Sequence, residues 1–137
     1  MAGVVVCVLV LAAASVYGVL HRQRSGRVRV RGRDDDKRLG SAELGAELGE
    51  RATLVQFSSA FCAPCRATRR VLGEVVDLVP GVAHVEIDAE AHLDLVRELD
   101  ILKTPTVLVL DAQGRVVRRA TGQPRKADVI AALGEAV

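Results

Sequence analysis

Aromatic side chains are nearly missing from this 137-residue chain: there is no Trp, and Tyr17, Phe57 and Phe61 are the whole set. Half of the residues are hydrophobic, so any core has to be assembled from Val, Leu, Ile and Ala. Cysteine is scarce too, with Cys7, Cys62 and Cys65 the only three. A structural zinc site needs four ligands, and His21, His84 and His92 show no Cys/His ligand pattern, so no metal centre is expected. A purely structural Cys62–Cys65 bridge is equally disfavoured, because closing so short a loop constrains the unfolded chain little. There is no internal repeat. Charge is absent from Met1 to Leu20, and no basic residue precedes the apolar run.

That last absence decides how the N-terminus is read. Val4–Leu20 is almost unbroken Val, Leu and Ala, close to the length that spans a hydrocarbon core. A secretory signal peptide, with Ala12-Ala13-Ala14 near its cleavage site, is the alternative, but it wants a basic segment before its apolar run. A single-pass membrane anchor over 1–21 is favoured, contacting the bilayer through residues 4–20. The formal charge of +2 conceals a division: residues 21–38 hold eight Lys/Arg against three Asp, residues 39–137 eleven against fourteen acidic residues. The basic character belongs to a linker over 22–40, not to the domain over 41–137, which argues against nucleic-acid binding. Arg22, Arg24, Arg27, Arg29, Arg31 and Arg33 follow the span directly. The positive-inside rule keeps that flank in the cytoplasm and the N-terminus outside; an extracytoplasmic domain is the alternative. Arg27–Arg31 alternates with valine and fits a short edge strand as well as it fits linker.

Strand and helix then alternate. Thr53–Ser58, Ala83–Asp88, Thr106–Leu110 and Val116–Ala120 read as strands, the last two flanking a turn at Asp111–Arg115. Helices are expected after Phe61, with Val71, Leu72, Val75, Val76 and Val79 in helical register, over Ala91–Leu99 with Leu95, Val96 and Leu99 inward, and at the C-terminus with Val129, Ile130 and Leu133 buried. Pro124 suits the first turn of that last helix, and Ser41 the N-cap of a short helix bearing Leu44 and Leu48. The pattern is α/β with a mixed sheet flanked by helices.

Between the first strand and its helix stands Phe61-Cys62-Ala63-Pro64-Cys65. A Cys-x-x-Cys at a strand-to-helix junction reads as a redox dithiol. The first cysteine meets the unpaired N–H groups and the positive end of the helix dipole, which favour a thiolate. The second lies one turn on, buried behind the first and able to close a bridge with it.

Leu54–Arg66 resembles the active-site segment of the thioredoxin family. Lys103-Thr104-Pro105-Thr106 with the strand that follows resembles the family's cis-proline loop, Asp111–Arg115 its hairpin turn and Ala120-Thr121-Gly122 its late glycine. The match runs from about Ser41 to Val137. The resemblance implies the thioredoxin fold and thiol–disulfide exchange, with Cys62 as nucleophile and Cys65 as resolving thiol. It implies a cis Thr104–Pro105 bond packed on the dithiol, the Thr104 backbone pairing with substrate peptide, and no cofactor. Its partners would be protein disulfides and an electron donor such as a thioredoxin reductase or another dithiol protein. Ala63-Pro64 is near the Gly-Pro of reducing members and lacks the histidine of oxidising ones, which favours a reductant.

The chain also departs from the family pattern. Gln56 stands where a buried acid is usual, so the ordinary general base for Cys65 is missing. His84 replaces a lysine on the neighbouring strand and is a candidate base acting through a water. Phe61 replaces Trp and keeps an apolar lip, and Arg66 is placed to stabilise a Cys62 thiolate, while Arg69 and Arg70 read as a solvated face. A membrane-anchored protein-disulfide reductase is the leading reading. The alternatives are an outward-facing reductase for exported proteins or cytochrome maturation, and a low-turnover redox sensor or peptide-binding module using the groove beside Pro105.

Overall fold

The run Ala52–Ser58 is apolar enough to be covered on both sides, and in the computed structural model all of its residues are buried. The structure describes residues 1–24, 28–29 and 37–137. Along the chain the elements are α1 (Ala2–Arg24), β1 (Val28–Arg29), α2 (Ser41–Leu44), β2 (Ala52–Ser58), α3 (Ala63–Leu78), β3 (Val82–Asp88), α4 (Leu93–Glu98), β4 (Thr106–Asp111), β5 (Val116–Thr121) and α5 (Lys126–Ala136). A strand buried on both faces needs a neighbour along each edge and a helical layer on each side. β2 has β3 parallel on one edge, Ala52 opposite Val82 through Ser58 opposite Asp88, and β4 antiparallel on the other. β4 turns back into β5, so the mixed sheet runs β5-β4-β2-β3, and β1 adds antiparallel along the outer edge of β5. This is the thioredoxin fold.

Alternation along β2 sorts the core into two layers. Val55 and Phe57 point to the side of α2 and α4 and pack with Leu44, Leu95, Leu99 and Ile101. Ala52 and Leu54 point to the side of α3 and α5 and pack with Leu72, Val75, Val129, Ala132 and Leu133. The stripe expected on α3 is present in Leu72 and Val75, with Val76 and the C-cap Val79 at its margin; Val71 is half-buried outside this core and lines a surface cleft with Val19 and Arg22. On α5 the stripe differs from expectation: Ile130 is 41 % exposed. Val129, Ala132, Leu133 and Ala136 already fill one helical face at i, i+3, i+4 and i+7, and Ile130 sits about 100° round from Val129. The start of α5 also differs. Arg125 is its N-cap, and the buried Pro124 lies in the loop before it.

At the start of the domain, Gly40 rather than Ser41 caps α2, its N–H donating to Glu43 Oε2 at 2.9 Å. Gly45, at φ 66°, ends that helix after one turn in the left-handed conformation glycine tolerates. The hairpin turn is as expected: Asp111 Oδ1 accepts from the N–H groups of Gln113 and Arg115 at 3.0 and 2.9 Å. Of the basic stretch, residues 25–27 and 30–36 lie outside the described residues, and with them most of the expected linker and of the alternating Arg27–Arg31 run. What is described pairs with the sheet. Val28 lies opposite Ala120, Arg38 bridges to Arg115, and Leu39 is only 2 % exposed, its N–H donating to the Gly114 carbonyl at 2.8 Å. α1 is exposed as far as Arg22, and Ala2–Arg22 is long and apolar enough to cross a membrane.

The two layers make a stability prediction. Leu72→Ala removes a fully buried side chain and should cost about 2–5 kcal/mol, whereas Ile130→Ala should cost about 0.5 kcal/mol. Urea unfolding of the two variants, followed by circular dichroism, checks the difference. Similar midpoints would mean that Ile130 belongs to the core after all.

Candidate functional site

β2 delivers the chain to a tight turn at its C-terminal end, and α3 starts soon after it. Phe61 takes φ 59° there, a left-handed conformation that costs a non-glycine residue energy, and its ring is fully exposed. Cys62 is the N-cap of α3. Its Sγ accepts the Cys65 N–H at 3.2 Å, the place usually taken by a Ser or Asp oxygen. Pro64 lies in the first turn, where a missing N–H costs nothing. The two sulfurs are bonded at 2.05 Å. Cys62 is half-buried while Cys65 is 2 % exposed, so only the first sulfur is open to a partner.

The loop before β4 supplies the opposite wall. The Thr104–Pro105 peptide bond is cis, and the Pro105 carbonyl accepts the Gly122 N–H at 2.8 Å. Thr104 Oγ1 lies 3.8 Å from Cys62 Sγ and 2.8 Å from Ser59 Oγ. With Thr104 donating to the sulfur, the Ser59 hydroxyl donates to Thr104, so two hydroxyls line up on the accessible sulfur. Around it Phe61, Ala63, Pro64 and Leu102 are exposed, Leu102 at 90 %. These exposed apolar groups make a patch beside the accessible sulfur.

Beneath the dithiol lies Gln56, wholly buried. Its Nε2 donates to the Cys65 carbonyl at 2.8 Å and to Ser58 Oγ at 3.0 Å, while its Oε1 faces His84 Nε2 at 3.1 Å. An amide oxygen only accepts, so the ring proton sits on Nε2. Gln56 is thus saturated. It ties the first turn of α3 to the central strand and holds no basic atom free for the Cys65 sulfur. His84 reaches Gln56, one side chain removed from Cys65.

Arg66 is exposed, and its backbone N–H donates to the Cys62 carbonyl at 3.4 Å. Arg69 is not merely solvated: Nε and Nη2 bond the two Glu86 oxygens at 2.7 Å each, and that carboxylate holds the guanidinium still more firmly protonated. Sequence reasoning passed over Ser59, Ser58 and Glu86. Ser59 stands in a loop with no periodicity. Glu86 was traceable, since residues 84 and 86 lie two apart on β3 and share a face.

Burial pushes the His84 imidazole below its ordinary range; Glu86 opposes this and Arg69 adds to it. With the folded value below the unfolded one of about 6.5, acidification protonates the unfolded chain first. Stability should therefore be full above about pH 6.5 and fall as the pH drops from there through the folded value. His84→Gln should remove that component. Urea midpoints of both proteins across this range check it. Parallel pH profiles would show that His84 does not carry the proton.

The family model Thioredoxin matches residues 41–135. Thioredoxin of Mycolicibacterium smegmatis is 30% identical over 88 residues, covering 61% of this chain and 77% of that protein. Thioredoxin-2 of Pyricularia oryzae is 29% identical over 73 residues, 53% of this chain, which spans only 43% of that relative's length. Among solved structures, thioredoxin of Fasciola hepatica shares 18% identity, with a TM-score of 0.56 over 65% of this chain and 84% of its own. The matched stretch holds the Cys62–Cys65 pair, the Pro105 loop and every strand from β2 to β5, and by that match the chain belongs to the thioredoxin family.

Proposed function

We propose that the protein is a membrane-anchored thiol–disulfide oxidoreductase that reduces protein disulfides. The observation carrying this is the bonded pair itself: an accessible Cys62 at a helix N-terminus, with the buried Cys65 one turn behind it. The Cys62 thiolate attacks one sulfur of a substrate disulfide, breaking that bond and releasing the other sulfur as a thiolate. Cys65 then loses its proton and attacks Cys62 Sγ. The Cys62–Cys65 bond forms, the second substrate sulfur leaves as thiolate, and both released sulfurs take protons from water. Two electrons pass from the dithiol to the substrate. A further dithiol, from a thioredoxin reductase or another dithiol protein, returns them.

Ala63-Pro64, without a histidine between the cysteines, supports the reducing direction. The cis loop supports substrate pairing along the Thr104 backbone in an extended, strand-like mode. Residues 1–21 act as the anchor, 22–40 as a basic linker and 41–137 as the thioredoxin-like domain; the burial of Leu39 against the hairpin turn extends the domain's packing into the end of that linker. The arginines after the span support a cytoplasmic domain, and reporter fusions after Val137 test that side. One observation favours a slow enzyme or a sensor: Gln56 leaves no basic atom free for Cys65. Insulin reduction by the full chain separates turnover from mere binding.

Cys62→Ser should abolish disulfide reduction, and Cys65→Ser should accumulate a mixed disulfide with substrate. Alkylation of the reduced protein at limiting reagent, read by peptide mass, checks the order. Labelling of Cys65 before Cys62 would reverse the assigned roles.

Gln56→Asp should speed release of the mixed disulfide, by up to about 10²-fold near neutral pH, because a carboxylate can take the proton from Cys65. It should also weaken the fold. The Nε2 donors to Cys65 and Ser58 are lost, and burial raises a carboxyl's folded pKa above its unfolded value of about 3.9. Folding is then penalised above that unfolded value, hence at neutral pH, and the penalty fades as the pH falls from the raised folded value towards it. Stopped-flow resolution of a Cys62-linked mixed disulfide, with urea unfolding at two pH values, tests both effects. Equal resolution rates would remove residue 56 from the proton path.

A further inference from the structure

The register of β1 says which end of the domain faces the anchor. β1 runs antiparallel to β5, with Val28 opposite Ala120 and Arg29 opposite Arg119. Ala120 is level with Val107, and Val107 with Gln56. The chain leaving α1 therefore joins the sheet at the C-terminal end of β2, where the dithiol is. The later contact agrees with this direction, because Arg38 meets Arg115 beside the hairpin turn, at the opposite end. Across the sheet, β1 is three strand steps from β2, about 14 Å. Along the chain, only residues 25–27 separate Arg24 from Val28, a reach of at most about 15 Å. The dithiol is thus held within about 30 Å of the end of α1, and the hairpin turn lies about 17 Å farther along the strands.

The surface at that end agrees. Val19 and Arg22 of α1 share a cleft with Gln123, Pro124 and Arg125 of the loop that follows Gly122 and with Lys126 at the start of α5. Gly122 is in turn bonded to the Pro105 carbonyl beside Cys62. Anchor, loop, Pro105 and dithiol thus form one continuous edge. Arg22, Arg125 and Lys126 suit it to lie against anionic head groups, although Lys126 also pairs with Glu74 at 3.3 Å.

Resting on the reading of α1 as a bilayer span and of Cys62–Cys65 as the reactive pair, we propose that the dithiol faces the lipid surface. Its substrates are then disulfides of proteins held in or on the same membrane, close to the head groups. Such a disulfide meets the dithiol at an effective concentration near the millimolar range, which a soluble disulfide does not. The electron balance is that of the exchange above, and prereduced protein suffices for one turnover.

Two measurements on the full chain in phosphatidylcholine–phosphatidylserine vesicles test this. In the first, Cys7→Ser is combined with either Gln123→Cys in the loop after β5, at the dithiol end, or Gln113→Cys in the hairpin turn. The native pair stays oxidised so that the new thiol takes the fluorophore. A head-group quencher should dim the label at 123 several-fold more than the label at 113; equal or reversed quenching overturns the orientation. In the second, a Gly/Ser insertion of about 20 residues between Ser25 and Gly26 frees the domain while keeping it on the vesicle. Single-turnover reduction of a peptide disulfide tied to lipid by a short linker should slow about tenfold or more, with reduction of soluble insulin unchanged. An unchanged rate on the tethered peptide overturns the substrate class. If the protein does not float with vesicles, the anchor reading fails and the proposal with it. If it floats but reduces neither substrate, the chemistry fails and the quenching result alone decides the orientation.

Discussion

The burial of β2 on both faces is the constraint from which most of this structure follows. Seven consecutive buried residues, Ala52–Ser58, cannot sit at the rim of a sheet or face water on either side. They require β3 and β4 as neighbours, a helical layer above and another below, and partners for each polar group among them. Thr53 accepts the Gly49 N–H at 2.9 Å, and Ser58 and Gln56 bond each other. No buried side-chain nitrogen or oxygen is left unpaired among the described residues. The strand must end where a helix can begin, and that junction is where Cys62 caps α3.

Gln56 is where the demand for pairing and the chemistry meet. A buried amide left without partners would cost about 1–3 kcal/mol, so Gln56 has to commit its groups to Cys65, Ser58 and His84. In doing so it pins the first turn of α3 against β2 and fixes Cys65 behind Cys62. An acid there would hold the same place less firmly, since a carboxylate brings no N–H to the Cys65 carbonyl, but it would accept a proton. Gln56 acts as a brace and not as a base. His84 belongs to the same arrangement: its Nε2–H goes to Gln56, and burial disfavours its charged form.

Much of this was legible in the sequence because it is carried by spacing. Strand runs, the helical stripe of α3, the Cys-x-x-Cys at their junction and the Asp111 turn each have a local period or a local chemical cause. What escaped has no such cause. Ile130 reads as core on an apolar helix and is exposed because Val129, Ala132 and Leu133 already fill the face. Arg119 is buried at 4 % with Nη1 on the Asp100 carbonyl at 3.3 Å, a partner set by α4 ending where it does. The Ser59–Thr104 hydroxyl pair joins residues 45 positions apart; only the fold brings them to one sulfur. Leu39 reads as linker because its neighbours are charged, yet the hairpin turn at the end of the β5 edge gives its N–H a partner in Gly114.

That edge explains why a segment with a linker's composition should pair with the sheet at all. A sheet in the order β5-β4-β2-β3 has two open rims, and an exposed rim of unpaired N–H and C=O groups invites association with another chain. On the β3 side the outward positions include Glu86 and Asp88, and charge is one of the devices that blunts an edge. β5 carries Val116 and Val117 near its start, and there the chain's own preceding segment supplies the cover: Val116 N–H donates to the Lys37 carbonyl at 3.1 Å, and Val28 and Arg29 take the far end. Covering β5 with the segment that follows α1 has a geometric consequence. A strand antiparallel to β5 must start at the end where β5 stops, and β5 stops beside Gly122 and Pro105. The need to protect one sheet edge thus ties the apolar N-terminal helix to the end of the domain that carries the dithiol.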